Sequence, residues 1–289
     1  MKSDTLSIIL IFAMLAIIGC GESAKKSPPR RQSIKIGDLK PSLSTKQPLG
    51  ITFQVMTFEI PAENVSILEE IFEALRKTPL HFKDRHAFGA NGFSAGFGQS
   101  SDWQPLGKKL RQAKARKVDA RSLIVFDDQG DDVLAGTVEE QGKYFYTHLD
   151  GSVSPQSLGP GNLMFRIKAR PVPDRRGVAY LSVQPLFSRG LDDAMYRLAG
   201  RKMSGETVFD AASFDLKAVT GDFVVLSSTE PEQGLAMISE LFCRVDRQIK
   251  MRNPDLTGKV AIDGSISAMI DKDVNMIRAY VILCTGVEN

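Results

Sequence analysis

The stretch from Leu163 to Arg170 constrains the fold more than any other, because its side chains alternate without a break. Leu163, Phe165, Ile167 and Ala169 fall on one face, and Met164, Arg166, Lys168 and Arg170 on the other. A period of two is the signature of a half-buried strand, and no helix can bury that set on one side. After a turn signal at Pro171–Gly177, Ala179, Leu181, Val183 and Phe187 continue the apolar face, so the pair reads as a hairpin. Further strand runs are Leu123–Phe126, Phe214–Leu216, Phe223–Leu226, Val260–Ile270 and Ile277–Cys284.

Helical periodicity is confined to shorter pieces. Ile51–Ile60 is β-rich, and Asn64 then stands where it could cap a helix carrying Val65, Leu68, Ile71, Phe72 and Leu75 inward. Thr78-Pro79 stops that helix. A second helix is expected over Trp103 to Lys117, with Trp103, Leu106, Leu110 and Ala113 inward. A third is expected from the capping box Thr229-x-x-Glu232 through Leu235, Ile238, Leu241, Phe242, Val245 and Ile249. The expected class is α+β: a mostly antiparallel, β-rich half over 118–289, preceded by a smaller mixed α/β segment over 50–117. Whether these pack as one unit is left open, because no Pro/Gly linker marks their boundary.

The first 49 residues are of another kind. Lys2 precedes a nearly unbroken apolar run from Leu6 to Ile18, 13 residues long, which is too short for a spanning helix and fits a signal-peptide core. Residues 21–49 are rich in Pro, Ser and Lys with no apolar period, and read as a flexible linker. Seven Lys and Arg residues against Glu22 and Asp38 give this linker +5. The signal stretch is neutral, so of the net +3 the body from Gly50 carries −2. The basic charge therefore lies on the linker, where anionic lipid head groups would attract it, and nucleic-acid binding is not supported.

Candidate chemistry is sparse. Gly92-Phe93-Ser94-Ala95-Gly96 matches the G-x-S-x-G nucleophile elbow, but Phe97-Gly98-Gln99-Ser100 does not open the helix that such an elbow requires. The expectation is no catalytic set, with a serine hydrolase using Ser94, aided by His148 and Asp150, as the alternative. His81 and His86 do not match a zinc spacing, and Asp127–Asp132 lacks the EF-hand pattern, so neither metal nor cofactor is expected. Lys108, Lys109, Arg111, Lys114, Arg116, Lys117 and Arg121 read as a solvated basic face. Trp103, Tyr144 and Tyr146 are the aromatics that a small-ligand or glycan module would use. Cys243 and Cys284 could form a disulfide in an oxidising compartment, or stay as small buried hydrophobes, since both lie in apolar runs.

Ile17-Ile18-Gly19-Cys20 resembles the lipobox of bacterial lipoproteins. The resemblance implies removal of residues 1–19, lipidation of Cys20 and a lipid-anchored (palmitate-type) linker over 20–49. It also implies a cell-membrane location facing the periplasm. Gly21, rather than an aspartate, after the cysteine favours the outer membrane over the inner. In the body, Leu181-Ser182-Val183-Gln184-Pro185, Gly221-Asp222-Phe223-Val224-Val225-Leu226 and Tyr280–Gly286 are similar to strands of the secretin β-domain of secretion and pilus systems. Ser227-Ser228 stands where secretins carry Gly-Gly, and Gly286 where they carry proline. The N-G-x-x-x-x-x-G segment from Asn91 to Gly98 is similar to one in uncharacterised planctomycete-type lipoproteins. Together these imply a non-enzymatic structural or protein-interaction role, with the membrane and other envelope proteins as partners.

Overall fold

The computed structural model describes residues 50–126, 129–189, 205–228, 236–252 and 269–287. Two antiparallel sheets lie face to face, and a pair of helices covers the far side of one of them. The first sheet runs in the order β3 (Phe93–Gly98), β12 (Phe223–Ser228), β14 (Met269–Val287), β1 (Gly50–Pro61) and β4 (Arg116–Phe126), with β13 (Arg244–Arg252) also on β14. In the second the order is β2 (His81–Phe82), β11 (Phe214–Val219), β9 (Val178–Ser188), β8 (Gly161–Pro171) and β5 (Asp131–Val138), with β10 (Glu206–Val208) on β9. The hairpin β6 (Gly142–Thr147) and β7 (Val153–Leu158) stands apart as a two-stranded ribbon.

The alternation in β8 is realised residue by residue. Leu163, Phe165, Ile167 and Ala169 are buried, while Met164, Arg166 and Lys168 are half-exposed. Its hairpin with β9 closes over Val172–Gly177, where Asp174 (φ 62°) and Gly177 (φ 73°) take left-handed backbone. This face meets Phe53, Val55, Val224, Leu226 and Ile282 of the first sheet in one apolar cluster. A second cluster lies on the outer face of the first sheet. There Met56, Ile60, Val225 and Val281 are covered by α1 (Val65–Ala74) through Leu68, Ile71 and Phe72, and by α3 (Trp103–Gln112) through Leu106 and Leu110. The architecture is thus helix, sheet, sheet, matching the expected β-dominated α+β class. No helix among the described residues is long and apolar enough to cross a membrane.

The segments before and after residue 117 are interleaved. β1 lies between β14 and β4, and β3 pairs with β12, so neither segment buries its strands without the other. The run Gly50–Pro61 is apolar on both faces because it is a central strand with a layer on each side.

Several local expectations are corrected. Asn64 stands at the start of α1, but its side chain makes no cap. A 3-10 turn over Ala62–Asn64 leads into the helix, and Asn64 Nδ2 instead donates to Ala113 O (3.1 Å), tying α1 to the end of α3. The second helix stops at Gln112, not Lys117. Lys114 turns left-handed (φ 54°), Ala115 N–H returns to Leu110 O, and Arg116 and Lys117 are already in β4. Trp103, expected inward, is 36% exposed and lays its ring edge against Phe223, with centroids 5.5 Å apart.

The long third helix is replaced by α4 (Ile238–Cys243), six residues, followed directly by β13. Val245 and Ile249 misled because a spacing of four keeps two residues on one face of a strand as well as of a helix. β13 pairs with Met269–Ile277, of which Met269–Asn275 extend beyond the partner that β1 supplies. The capping box at Thr229 and Glu232, residues 260–268 of the expected strand, and Asp127 and Asp128 lie outside the described residues.

Candidate functional site

One carboxylate organises the open side of the sandwich. Glu59 is the last inward residue of β1, after Phe53, Val55 and Thr57, and it is fully buried. Its register partners on both neighbouring strands are arginines, Arg278 of β14 and Arg116 of β4. Arg278 Nε and Nη2 donate to Glu59 Oε1 at 3.3 and 3.4 Å, and Arg116 Nη2 donates to Oε2 at 3.3 Å. Three adjacent strands are therefore cross-linked at one level, with the charge buried between its counter-ions, as an interior carboxylate requires.

Arg278 also joins the two sheets. In β5 the register with β8 slips between Leu134 and Gly136, so Ala135 is bulged. Its carbonyl leaves the ladder and accepts from Arg278 Nη1 at 2.6 Å. Tyr280, two residues on, lies close to the same carbonyl (3.2 Å) and closer to Phe242 O (2.7 Å), which its single proton satisfies. Burial pushes the Tyr280 hydroxyl far above its usual pKa, so it remains a neutral donor. A matching bulge at Val118 interrupts β4, whose register with β1 slips between Thr57 and Phe58. Between the two bulged edges opens a recess of about 480 Å³, with Arg278 and Tyr280 in its wall.

The sequence-derived candidates fall elsewhere. Cys20 lies outside the described residues. Cys243 and Cys284 are both buried free thiols, and burial raises their pKa to about 12 and about 11. The disulfide is not formed. Cys243 follows Phe242, whose carbonyl sits on the Tyr280 hydroxyl, whereas Cys284 lies four residues further along β14, roughly 13 Å at strand rise. A disulfide needs Cα atoms within about 7 Å.

Ser94 is the second residue of β3, paired with Ser227 of the antiparallel β12, and not on a strand-to-helix turn. His148 Nε2 is engaged with Ser154 Oγ at 2.6 Å, and Asp150 accepts from Ser152 N–H and Oγ. These bonds from Ser152 hold the Asp150 carboxyl below its usual pKa. Gly96 of this motif and Gly98 beyond it have packing reasons. A Cβ at Gly96 would stand 2.7 Å from Leu75 Cβ, and one at Gly98 would enter the Phe223 ring. Asn91, fully buried, donates to Thr147 O and accepts from Thr147 N–H, both at 2.8 Å, locking the end of α2 (Arg85–Ala90) to β6. Gly92 then needs a left-handed φ of 81°. The Asn91–Gly98 segment is a structural clasp.

Among the described residues no three His, Cys, Asp or Glu side chains come together as metal ligands. Asp132, from the acidic loop, forms a two-pronged pair with Arg166, with both contacts at 2.8 Å. Members of the supposed basic face are dispersed into ion pairs, Lys109 with Glu70, Lys114 with Glu63, Arg116 with Glu59 and Arg121 with Asp119. Tyr146 is buried, its ring against Phe209 and His148 and its hydroxyl accepting from Ala211 N–H, so it offers no stacking platform. Sequence reasoning missed Glu59, Ala135 and Arg278. The legible signal was an acid at an inward position of an apolar strand, and an arginine two residues before a tyrosine in another.

No family model matches this chain. No curated protein matches it either. Among solved structures it is similar to the secretin-domain β-barrel of InvG from the Salmonella injectisome. The identity there is 10% and the TM-score 0.24, over 83% of this chain and 63% of that one. The Vibrio cholerae type IV competence pilus secretin PilQ gives 11% identity and a TM-score of 0.18, over 83% and 61%. The Klebsiella pneumoniae type II secretion outer-membrane complex of PulD, PulS and the PulC HR domain gives 8% and 0.18, over 84% and 41%. The chain thus spans under two thirds of the length of each of these, and its likeness to secretin domains is distant.

Proposed function

We propose that this chain is a lipid-anchored protein of the bacterial cell envelope whose β-rich body has a non-enzymatic, protein-interaction role. The observation that carries the reading is the order of the first 50 residues. The apolar run Leu6–Ile18 ends at Gly19-Cys20, a basic, proline- and serine-rich stretch follows, and the first strand begins at Gly50. In this reading residues 1–19 are removed, Cys20 carries the acyl chains, and 21–49 separate the body from the bilayer on the periplasmic side. Two or more acyl chains give a stable anchor, each buried methylene contributing about 0.8 kcal/mol. Proximity to secretion or pilus assemblies is the finer part of the proposal, resting on the similar strand motifs in β9, β12 and β14.

Metabolic labelling with an alkyne fatty acid tests the anchor. The wild-type chain should take up label and fractionate with membranes, and Cys20→Ser should lose both. A labelled Cys20→Ser chain, or a wild-type chain in the cytosol with Met1 intact, overturns it. Cross-linking and capture from detergent-solubilised membranes tests the finer part: secretion or pilus components should co-purify, and recovery of the chain alone refutes it. A fluorophosphonate probe should leave Ser94 unlabelled.

A further inference from the structure

We propose that the recess between the bulged edges of β4 and β5 is a binding site for a small organic anion bearing carboxylates. Its volume, about 480 Å³, falls in the range of small-molecule sites. Among its described lining residues Arg121, Arg244 and Arg278 are basic and Asp119 is acidic, with Glu59 and Glu240 behind the wall as partners of Arg278 and Arg244. This proposal does not depend on the lipid anchor.

The three arginines differ in a way that suits recognition. Arg278 is held in place. Three of its five N–H donors go to Glu59 and to Ala135 O, and its side chain lines the recess. It is only 20% exposed, and its bonds to Glu59 and Ala135 O fix the orientation of its fork. Arg121 and Arg244 are each about half exposed, and their present partners are Asp119 at 2.8 Å and Glu240 at 3.7 Å. The exposed Arg121–Asp119 pair contributes little, and the Arg244–Glu240 contact is long at 3.7 Å, so a ligand carboxylate can draw either arginine at small cost. Planar, two-pronged donation is the geometry carboxylates match best. One fixed cation at the back and two adjustable ones at the mouth fit a ligand with more than one carboxylate.

The rest of the wall is consistent with that ligand. Leu134, 41% exposed, and Leu241 supply an apolar side against which a short carbon chain can lie. The bulges at Val118 and Ala135 bend the two edge strands, so the gap is a feature of the backbone and not of a single rotamer.

The test uses the full chain in detergent, titrated calorimetrically with citrate and with succinate at fixed ionic strength, and with inorganic phosphate as a separate arm. Saturable heat is expected with citrate and, more weakly, with succinate. Arg121→Gln with Arg244→Gln should weaken citrate at least tenfold while leaving the melting temperature nearly unchanged. Leu134→Glu should weaken it similarly by placing a like charge in the site. Arg175→Gln, in the exposed β8–β9 turn, should not change binding. Absence of saturable citrate binding, binding of phosphate alone, wild-type affinity in the double variant, or equal loss in Arg175→Gln would each overturn the proposal.

Discussion

Arg278→Met isolates what the buried ion triad does for the fold. The substitution keeps an unbranched chain of similar length but removes the guanidinium that bridges Glu59 Oε1 and Ala135 O. Glu59, with no exposure at all, is then left near Arg116, whose side chain is 59% exposed and one-sided at 3.3 Å. Breaking a buried pair by deleting one partner costs about 3–5 kcal/mol. Because Arg116 remains, the low end applies, about 3 kcal/mol, or a fall in melting temperature of about 6–12 °C for a body of this size. Glu59→Gln is milder, about 2 kcal/mol, since both arginines can still reach water. If the two residues act as one unit, Glu59→Gln with Arg278→Met should cost no more than Arg278→Met alone, a coupling of about 2 kcal/mol. The assay is guanidinium unfolding followed by fluorescence of Trp103, the sole tryptophan, whose ring edge rests on Phe223. A loss under about 1 kcal/mol for Arg278→Met, or strict additivity in the double variant, refutes the reasoning.

Three further outcomes follow from the same packing. Gly98→Ala should destabilise by about 1–3 kcal/mol, because its Cβ would enter the Phe223 ring, whereas Ser94→Ala should change thermal stability by less than about 0.5 kcal/mol. Arg166→Lys should cost about 1 kcal/mol in urea midpoints, since lysine cannot hold the two-pronged contacts to both Asp132 and Glu206. Cys243 and Cys284 have folded pKa values raised by burial to about 12 and about 11 from 9.0, so the folded state keeps protons that the unfolded state releases. Their contribution is fully present below pH 9 and lost as pH rises through 11–12, so urea midpoints should fall from pH 9 upward. Replacing both cysteines by alanine should flatten that fall.

What the sequence made legible, and what it hid, divides along physical lines. Strands that are buried on one face write their period into the chain, and β8 and β9 were readable down to single residues. β1 announced itself by apolarity on both faces, but its neighbours did not follow from it, because β14 lies more than two hundred positions away. Nothing local records a pairing of that span. The helix ends failed for a related reason. Asn64 and Lys117 were read by propensity within their own segments, whereas in the folded chain Ala113 O claims the Asn64 side chain and the edge of β1 claims Lys117. Tertiary demand overrode local preference.

The Glu59 site shows why function is harder to read than fold. Its members come from β1, β4, β5 and β14, and each alone looks like an ordinary strand residue. A buried glutamate needs counter-ions or hydrogen-bond donors beside it, and here Arg278 and Arg116 stand on the flanking strands. The sequence offered many arginines and no means of choosing among them. The bulge at Ala135 was equally invisible, because alanine carries no turn preference. Its carbonyl, freed from the ladder, is received by Arg278 on the opposite sheet. Removing the arginine therefore disturbs both sheets at once. The same residue supports the sandwich and walls the recess, so stability and anion affinity are linked through Arg278. They can be separated at Arg121 and Arg244, which meet the recess without bearing on the buried carboxylate.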